Sequence, residues 1–198
     1  MWFESSATFP RRFLRCLGVA ICALGFVAVE AKPETIAGAE TTLTSTADRM
    51  ISYRHQDHMW RTSDGGTHVF VNRGTMPGGT SLALFSSYDS GVTWSLSAEL
   101  PATNAQSTTD GYLVGNALSV TYGSSAGQIR LSKLAYDPVA RTWMLNSTQI
   151  VFSSSTAFAI NPAMARDAQG RVWLAFTHQD KATQNYSIKL MLKASNSV

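Results

Sequence analysis

The chain has 198 residues, of which 44% are hydrophobic and 15% charged, and its formal net charge is +3. This length suits one ordinary domain. Because no Lys/Arg cluster follows Arg15, the sequence lacks the basic footprint of a nucleic-acid-binding protein. Nucleic acid is therefore excluded as an expected partner.

Residues 1–31 have the pattern of an export signal. A basic region, a mostly apolar run over residues 16–29 and the small-x-small sequence Val29-Glu30-Ala31 follow one another in the order that signal peptidase requires; the basic residues are Arg11, Arg12 and Arg15. We expect cleavage after Ala31 and a secreted or periplasmic protein without membrane attachment. A membrane anchor is the competing interpretation, but the apolar run is shorter than a spanning helix.

Cleavage there would also remove both cysteines, Cys16 and Cys22, so that the mature chain could form no disulfide and no thiolate metal site. A lipoprotein signal is disfavoured because the bulky Ile21 precedes Cys22. The cut takes three of the 16 basic and two of the 13 acidic residues, which leaves the charge nearly balanced. We expect no cofactor and no metal ion.

The remaining chain divides into two parts. Residues 32–47 are polar and show no period, which indicates a linker or a lead-in strand. Over residues 48–198, short runs rich in Val, Leu, Tyr, Phe and Trp alternate with clusters of Gly, Asp, Asn, Ser and Pro, and no window keeps a helical period. This pattern predicts an all-β fold.

The strands repeat in three similar units. The first combines DGGTHVFVNRG with SLALFSS, the second GNALSVTYGS with IRLSKLAYDPVARTW, and the third NPAMARDAQGRVWLAFT with YSIKLMLKASNSV. Trp94 and Trp143 are 49 residues apart, a period typical of propeller blades with four strands each. We predict a partial β-propeller of about three blades, truncated in the third. The chain would then be a fragment, the product of a truncated gene, or a ring completed by self-association through open blade edges.

The tryptophans have two interpretations. Regular placement at blade positions favours core packing between blades over stacking on sugar rings; the residues are Trp60, Trp94, Trp143 and Trp173.

A motif follows the run SLALF. In SYDSGVTW, the carboxylate of Asp89 can accept hydrogen bonds from turn amides, and Gly91 allows a positive φ. Each residue type is explained as a turn between two strands without any substrate. The motif resembles the Asp-box of sialidases and other BNR-repeat proteins in all five defined positions, which are Ser87, Asp89, Gly91, Thr93 and Trp94. That resemblance implies a propeller with this turn at its periphery.

A degenerate copy of the motif runs from Asp137 to Trp143, without the glycine. Asn161-Pro162-Ala163, followed by Asp167, Gly170 and Trp173, is similar to the blade opening of the same proteins. The resemblance covers roughly residues 50–198.

The resemblance implies an exo-sialidase activity, and it also implies which residues such an activity would need. Sialidases hold the sialic acid carboxylate with three arginines and use a Tyr nucleophile, its Glu partner and an Asp acid/base. Arg54 lies where the first arginine is expected, and Val71-Asn72-Arg73 partly matches a later motif. No carboxylate lies between Asp64 and Asp89, where the acid/base is expected. A complete sialidase centre cannot be assembled from this chain.

A second hypothesis uses Arg54-His55-Gln56-Asp57-His58. Imidazoles together with an arginine suit β-elimination of an acidic polysaccharide, and Asp57-His58-Met59 half matches an Asp-His-Asn element of some propeller lyases. If these residues alternate on a strand, His55 and Asp57 share one face and His58 the other, which argues against a metal site. A solvated segment with no special role is the structural alternative.

The sequence therefore predicts an exported all-β protein that acts on or binds glycans. Whether it is an enzyme stays open between an incomplete sialidase-like hydrolase, a lyase and a non-catalytic carbohydrate-binding or scaffold module.

Overall fold

A computed structural model describes residues 56–74, 82–101, 103, 107–124 and 127–193. These residues form eleven β-strands in three antiparallel sheets and no helix, so the all-β prediction is confirmed. The predicted signal peptide, residues 32–47, Arg54 and His55 lie outside the described residues. Within the described ranges there is no helix of the length and hydropathy that crossing a membrane requires.

Sheet 1 is a four-stranded meander, in which each strand pairs with the next one along the chain. Its strands are β1 (Met59–Arg61), β2 (Thr67–Asn72), β3 (Leu82–Ser87) and β4 (Ser95–Glu99). The β1–β2 turn is closed by a hydrogen bond from the Thr62 backbone N–H to the Gly66 carbonyl, with Gly65 at a φ of 86°.

Sheet 2 repeats this meander with longer strands. They are β5 (Thr109–Val114), β6 (Ala117–Ser124), β7 (Gln128–Asp137) and β8 (Thr142–Ser153). The predicted second unit begins at Gly115, whereas the structure adds β5 before it. The β5–β6 turn is formed by Gly115, at a φ of 57°, and Asn116, whose carbonyl accepts the Tyr136 N–H.

Sheet 3 has three strands in the described part of the chain: β9 (Ala157–Arg166), β10 (Val172–Asp180) and β11 (Tyr186–Lys193). A bulge interrupts β9, because Ala163 pairs with Ala175 while Ile160 pairs with Thr177. Asn161 and Pro162 occupy the bulge, and Asn161 has a φ of 52°. Proline suits this place since it has no N–H to donate to a ladder.

The three sheets are stacked through two apolar cores. The first core, between sheets 1 and 2, is Trp60, Phe70, Leu82, Leu84, Leu100, Leu118, Val120, Tyr122, Leu134, Tyr136 and Trp143. The second, between sheets 2 and 3, is Ile129, Ala159, Leu174 and Phe176, flanked by Val151, Phe152, Met164 and Met191. Of the four tryptophans expected to pack in the core, Trp60 and Trp143 are buried there, whereas Trp94 and Trp173 are half-buried outside it.

The strands define two ends of the stack. We call the end where β1 and β5 begin the first-strand end. The β3–β4 turn with Asp89 lies at the other end, which we call the Asp89 end, because β3 starts beside the end of β2 and runs away from it. The β1–β2 and β7–β8 turns are also at the Asp89 end.

Candidate functional site

A buried carboxylate joins all three sheets at the first-strand end. Asp110, the second residue of β5, is 5% exposed. Its Oδ1 accepts the backbone N–H of Asp57, just before β1, at 2.6 Å, and its Oδ2 accepts that of Met164 in β9 at 2.5 Å. One side chain therefore fixes the positions of the first strands of three sheets.

The surroundings of Asp110 favour its neutral form. Burial raises the pKa of this carboxyl above the ordinary 3.8, although the N–H donors of Met164 and Asp57 act in the opposite direction. The nearby carboxylate of Asp57 raises the pKa further. Asp57 itself is exposed. The site therefore holds one buried carboxyl group and one solvent-exposed carboxyl group.

A side-chain amide makes a second connection between sheets 1 and 3. Gln56 is 3% exposed, and its Nε2 donates to the carbonyl of Pro162 in the β9 bulge. The bulge makes this contact available because it takes Pro162 out of the β9–β10 pairing. Both connections thus hold the residues before β1 against β9.

The contacts of the segment before β1 also indicate the tautomer of His58. His58 is half-buried, and its Nδ1 lies 2.9 Å from the Gln56 carbonyl oxygen. A carbonyl only accepts hydrogen bonds, so we infer that Nδ1 carries the proton. In the neutral ring Nε2 then keeps its lone pair and can accept a proton or a ligand hydroxyl.

The conditional prediction that residues 54–58 alternate on a strand does not hold for Asp57 and His58. They precede β1, which begins at Met59, because the Asp57 N–H bonds to the Asp110 carboxylate. Arg73, the other described candidate, follows β2 at the same end of sheet 1. Its Nη1 forms an ion pair with Glu99 Oε1 at 2.9 Å, and both side chains are partly exposed.

The Asp-box residues form a hydrogen-bonded turn at the opposite end. Asp89 Oδ1 accepts the Thr93 N–H at 2.9 Å and the Ser87 hydroxyl at 2.8 Å, while Oδ2 accepts the Thr93 hydroxyl at 2.6 Å. The Trp94 indole donates to the Gly91 carbonyl at 3.0 Å. The Thr93 and Ser87 hydrogen bonds lower the pKa of Asp89 to about 2. The charged carboxylate thus accepts three hydrogen bonds from within its own turn.

The degenerate copy forms the β7–β8 turn at the same end. Asp137 Oδ1 accepts the N–H groups of Val139 and Ala140 at 2.8 and 3.1 Å, and Arg141 takes a φ of 54° without a glycine. Trp143 behaves differently from Trp94, since its indole donates to Nδ1 of His68 at 3.0 Å.

His68 belongs to a buried polar network between sheets 1 and 2. It is fully buried, and its Nε2 lies 2.9 Å from Thr62 Oγ1, which donates to Asp64 Oδ1 at 2.5 Å. Asp64 Oδ2 accepts the Tyr136 hydroxyl at 2.6 Å. The Thr62 and Tyr136 hydrogen bonds lower the pKa of Asp64 to about 2, and burial raises that of Tyr136. No ligand is needed to satisfy these groups, so the network is structural.

The structure thus separates the sequence candidates into two groups. It brings Asp57 and His58 together with Asp110, and it places the Asp-box and its degenerate copy at the far end. Sequence reasoning missed Asp110 and the role of Gln56. The sequence signal for Asp110 is its place in Thr109-Asp110-Gly111, immediately before an apolar stretch, but the predicted second unit begins only at Gly115.

The described residues include no group of three or more His, Cys, Asp or Glu side chains arranged to hold a metal ion. At the first-strand end the chemistry available is hydrogen bonding and proton transfer. Around Asp110, the described groups that offer it are the Asp57 carboxylate, His58 Nε2 and the carboxyl of Asp110 itself.

No protein-family model and no curated protein matches this chain, but solved structures do. A protein of unknown function from Dyadobacter fermentans DSM 18053 superposes with a TM-score of 0.43 and 18% identity, over 67% of this chain and 36% of that one. An endo-arabinase from Bacteroides thetaiotaomicron VPI-5482 superposes with a TM-score of 0.44 and 15% identity, over 72% of this chain and 58% of the enzyme. The chain therefore spans less than two thirds of either protein, and superpositions at this level carry no argument about activity.

Proposed function

We propose that the chain is the glycan-binding part of a β-propeller-type protein and that the glycan binds at the first-strand end. Stacked antiparallel meanders support the propeller architecture, with β9 beside β5 and the residues before β1 bonded to β5. The observation that carries the site is Asp110, which draws the residues before β1 and the strand β9 together. By holding the segment before β1 in place, Asp110 fixes the exposed Asp57 and the half-buried His58, and a ligand site on such a scaffold requires a few polar groups in fixed positions.

The chemistry of these groups suits sugar hydroxyls. An exposed carboxylate and an imidazole nitrogen with a free lone pair both accept hydrogen bonds from hydroxyl groups. Hydrolysis would need, in addition, an acid and a second carboxylate or other nucleophile that both reach the glycosidic bond. Among the described residues the site offers one exposed carboxylate, Asp57, whereas Asp110 is buried and accepts two backbone N–H groups. Binding is therefore the function that we assign.

Calorimetric titration with sialyllactose, a neutral arabinan and polygalacturonate would test this proposal. We expect one of the three to bind, and we expect Asp57→Ala or His58→Ala to weaken that binding at least about tenfold, since each removes a hydrogen bond to the ligand. Asp137→Ala, which changes an exposed aspartate at the Asp89 end, is the matched control and should leave binding unchanged. No binding of any probe, or equal loss in all three variants, would contradict the proposal.

The His58 tautomer favours one catalytic alternative, β-elimination of a uronate polymer. In that reaction Nε2 of His58 would take the C5 proton, the electrons would form a C4–C5 double bond, and the C4–O bond would break, with the leaving oxygen gaining a proton. The unsaturated product can be followed by its ultraviolet absorbance. We expect His58→Ala to abolish that signal and His178→Ala, a change at a half-buried histidine of β10, to retain it. An unchanged rate in the His58 variant would exclude this chemistry.

A further inference from the structure

The outer face of sheet 3, which points away from sheet 2, is apolar and exposed. Leu174, Phe176 and Met191 pack against sheet 2, so the alternate residues of the same strands point the other way. By register these outer positions are Phe158, Ile160, Ala163, Ala165, Trp173, Ala175, Thr177, Gln179, Tyr186, Ile188 and Leu190. None of these described positions carries a charge.

The exposure of this face is greatest on β11. Tyr186 is 68% exposed, Ile188 71% and Leu190 67%, and Phe158 of β9 is 41% exposed. A run of large apolar side chains on one strand face is uncommon on an isolated surface, and patches of this kind mark sites of association.

Cations lie at the two ends of the face. Lys181 Nζ is 5.1 Å from the centre of the Phe158 ring, and Arg171 Cζ is 5.9 Å from that of Trp173. Arg171 also pairs with Asp167 at 2.6 Å. The face therefore has an uncharged centre and a polar rim, which is the usual composition of a protein interface.

We propose that this outer face binds the same face of a second copy of the chain, so that two chains form a two-fold dimer. In a two-fold interface each patch meets itself. An uncharged patch meets this condition at no electrostatic cost, whereas a charged one would bring like charges together or bury them. Sheets 1 and 2, and sheets 2 and 3, are already joined through apolar faces, and the proposed contact continues that stacking.

The size of the face agrees with this occupant. Three strands about 4.8 Å apart, each about eight residues long at roughly 3.3 Å per residue, give an area of roughly 14 by 26 Å. With side chains that protrude from both partners, two such faces bury on the order of 1,000 Å², the lower limit for a specific interface. The dimer should therefore be weak and concentration-dependent.

The test is the molar mass of the full chain by light scattering after size exclusion, from low micromolar to near-millimolar concentration. We expect a rise from 21.5 kDa towards twice that mass. The double variant Ile188→Lys with Leu190→Lys should weaken dimerisation by at least about 100-fold, because the dimer would bury four unpaired charges. Val139→Lys makes the same kind of change at a 94% exposed residue of the β7–β8 turn and should dimerise like the wild type.

Circular dichroism establishes that each variant keeps its β-structure, and Ile188→Ser with Leu190→Ser replaces the lysine variant if that variant does not fold. A wild-type chain that stays monomeric, that forms assemblies larger than a dimer, or whose dimer survives either β11 double variant would overturn the proposal. Equal loss of dimer in the Val139→Lys control would overturn it as well.

Discussion

The buried imidazole of His68 should make the fold sensitive to mild acid. Burial lowers its pKa from 6.5 to about 4, although the charge of Asp64 acts in the opposite direction. Nδ1 accepts the Trp143 indole N–H at 3.0 Å, so the neutral ring must donate through Nε2 to Thr62 Oγ1. Protonation of Nδ1 would put a second donor in front of the indole N–H, and the Ser86 Oγ, 2.7 Å from Nδ1, would be the acceptor left for the new proton.

The size of the effect follows from these pKa values. Above pH 6.5 the ring is neutral in both the folded and the unfolded chain, so His68 adds no pH dependence there. Between pH 6.5 and about 4 the unfolded chain binds a proton that the folded chain does not, and the free energy of unfolding falls as the pH falls. At 1.36 kcal/mol for each pKa unit, the loss is about 3 kcal/mol and is complete near pH 4.

Urea denaturation at a series of pH values from 7.5 to 4 measures this loss. The variant His68→Gln keeps a donor and an acceptor but does not titrate, so its curve should be about 3 kcal/mol flatter than that of the wild type over the same range. His178→Gln is the matched control at a histidine that is not fully buried. If the Gln variant does not fold, NMR titration of the wild-type imidazole gives the pKa directly. Parallel curves for wild type and His68→Gln, or a titration midpoint near 6.5, would refute the reasoning.

Three further changes test the local geometry. Gly111→Ala should lower the free energy of unfolding in urea by about 2 kcal/mol or more, because a Cβ there would lie 2.5 Å from the Ser119 carbonyl oxygen. Gly115→Ala, in open space at a φ of 57°, should lower it by only about 1 kcal/mol. A larger loss for Gly115→Ala than for Gly111→Ala would contradict the geometry. Asp89→Ala should lower the melting temperature without changing glycan affinity, and a loss of affinity would place a ligand at the wrong end of the molecule. Asp110→Asn should lower the free energy of unfolding by about 1–3 kcal/mol, since the side-chain NH₂ of the new asparagine would face a backbone N–H donor. It should also remove the gain in stability that the raised pKa gives the wild type as the pH falls into the range just above 3.8. An unchanged pH profile would show that Asp110 does not titrate with folding.

The all-β class was predictable because local signals carry it. Strand β2 reads Thr-His-Val-Phe-Val-Asn, rich in β-branched and aromatic residues, and the turn around Asp89 contains every group that its own hydrogen bonds use. Residue types that satisfy their needs within a few positions can be recognised without knowing the rest of the fold.

Strand β5 was not predictable in the same way. The residues around its start, Ser107 to Gly111, are small or polar and resemble a loop, yet they are buried. Ser107 donates its hydroxyl to the Gly123 carbonyl, and Asp110 accepts N–H groups that lie 53 and 54 residues away. A polar residue can be buried when distant partners satisfy it, and those partners are visible only once the sheets are stacked.

The tryptophans show the same limit. Trp60 and Trp143 lie in the first core, but Trp94 turns back to its own turn and donates to the Gly91 carbonyl. Placement at corresponding positions of the repeated units predicted the same role for each tryptophan, whereas the role of each indole depends on which acceptor its N–H reaches. For Trp143 that acceptor is His68, in the neighbouring sheet.

The double hydrogen bond of Asp110 has a consequence for how the chain is completed during synthesis. Each sheet is a meander of neighbouring segments, so it can form soon after its own residues leave the ribosome. The Asp110 carboxylate, however, can bind the backbone N–H of Met164 only after that residue has been synthesised, 54 residues later. Until then one oxygen of the Asp110 carboxyl lacks its backbone donor, so formation of the third sheet also completes the hydrogen bonding of the second.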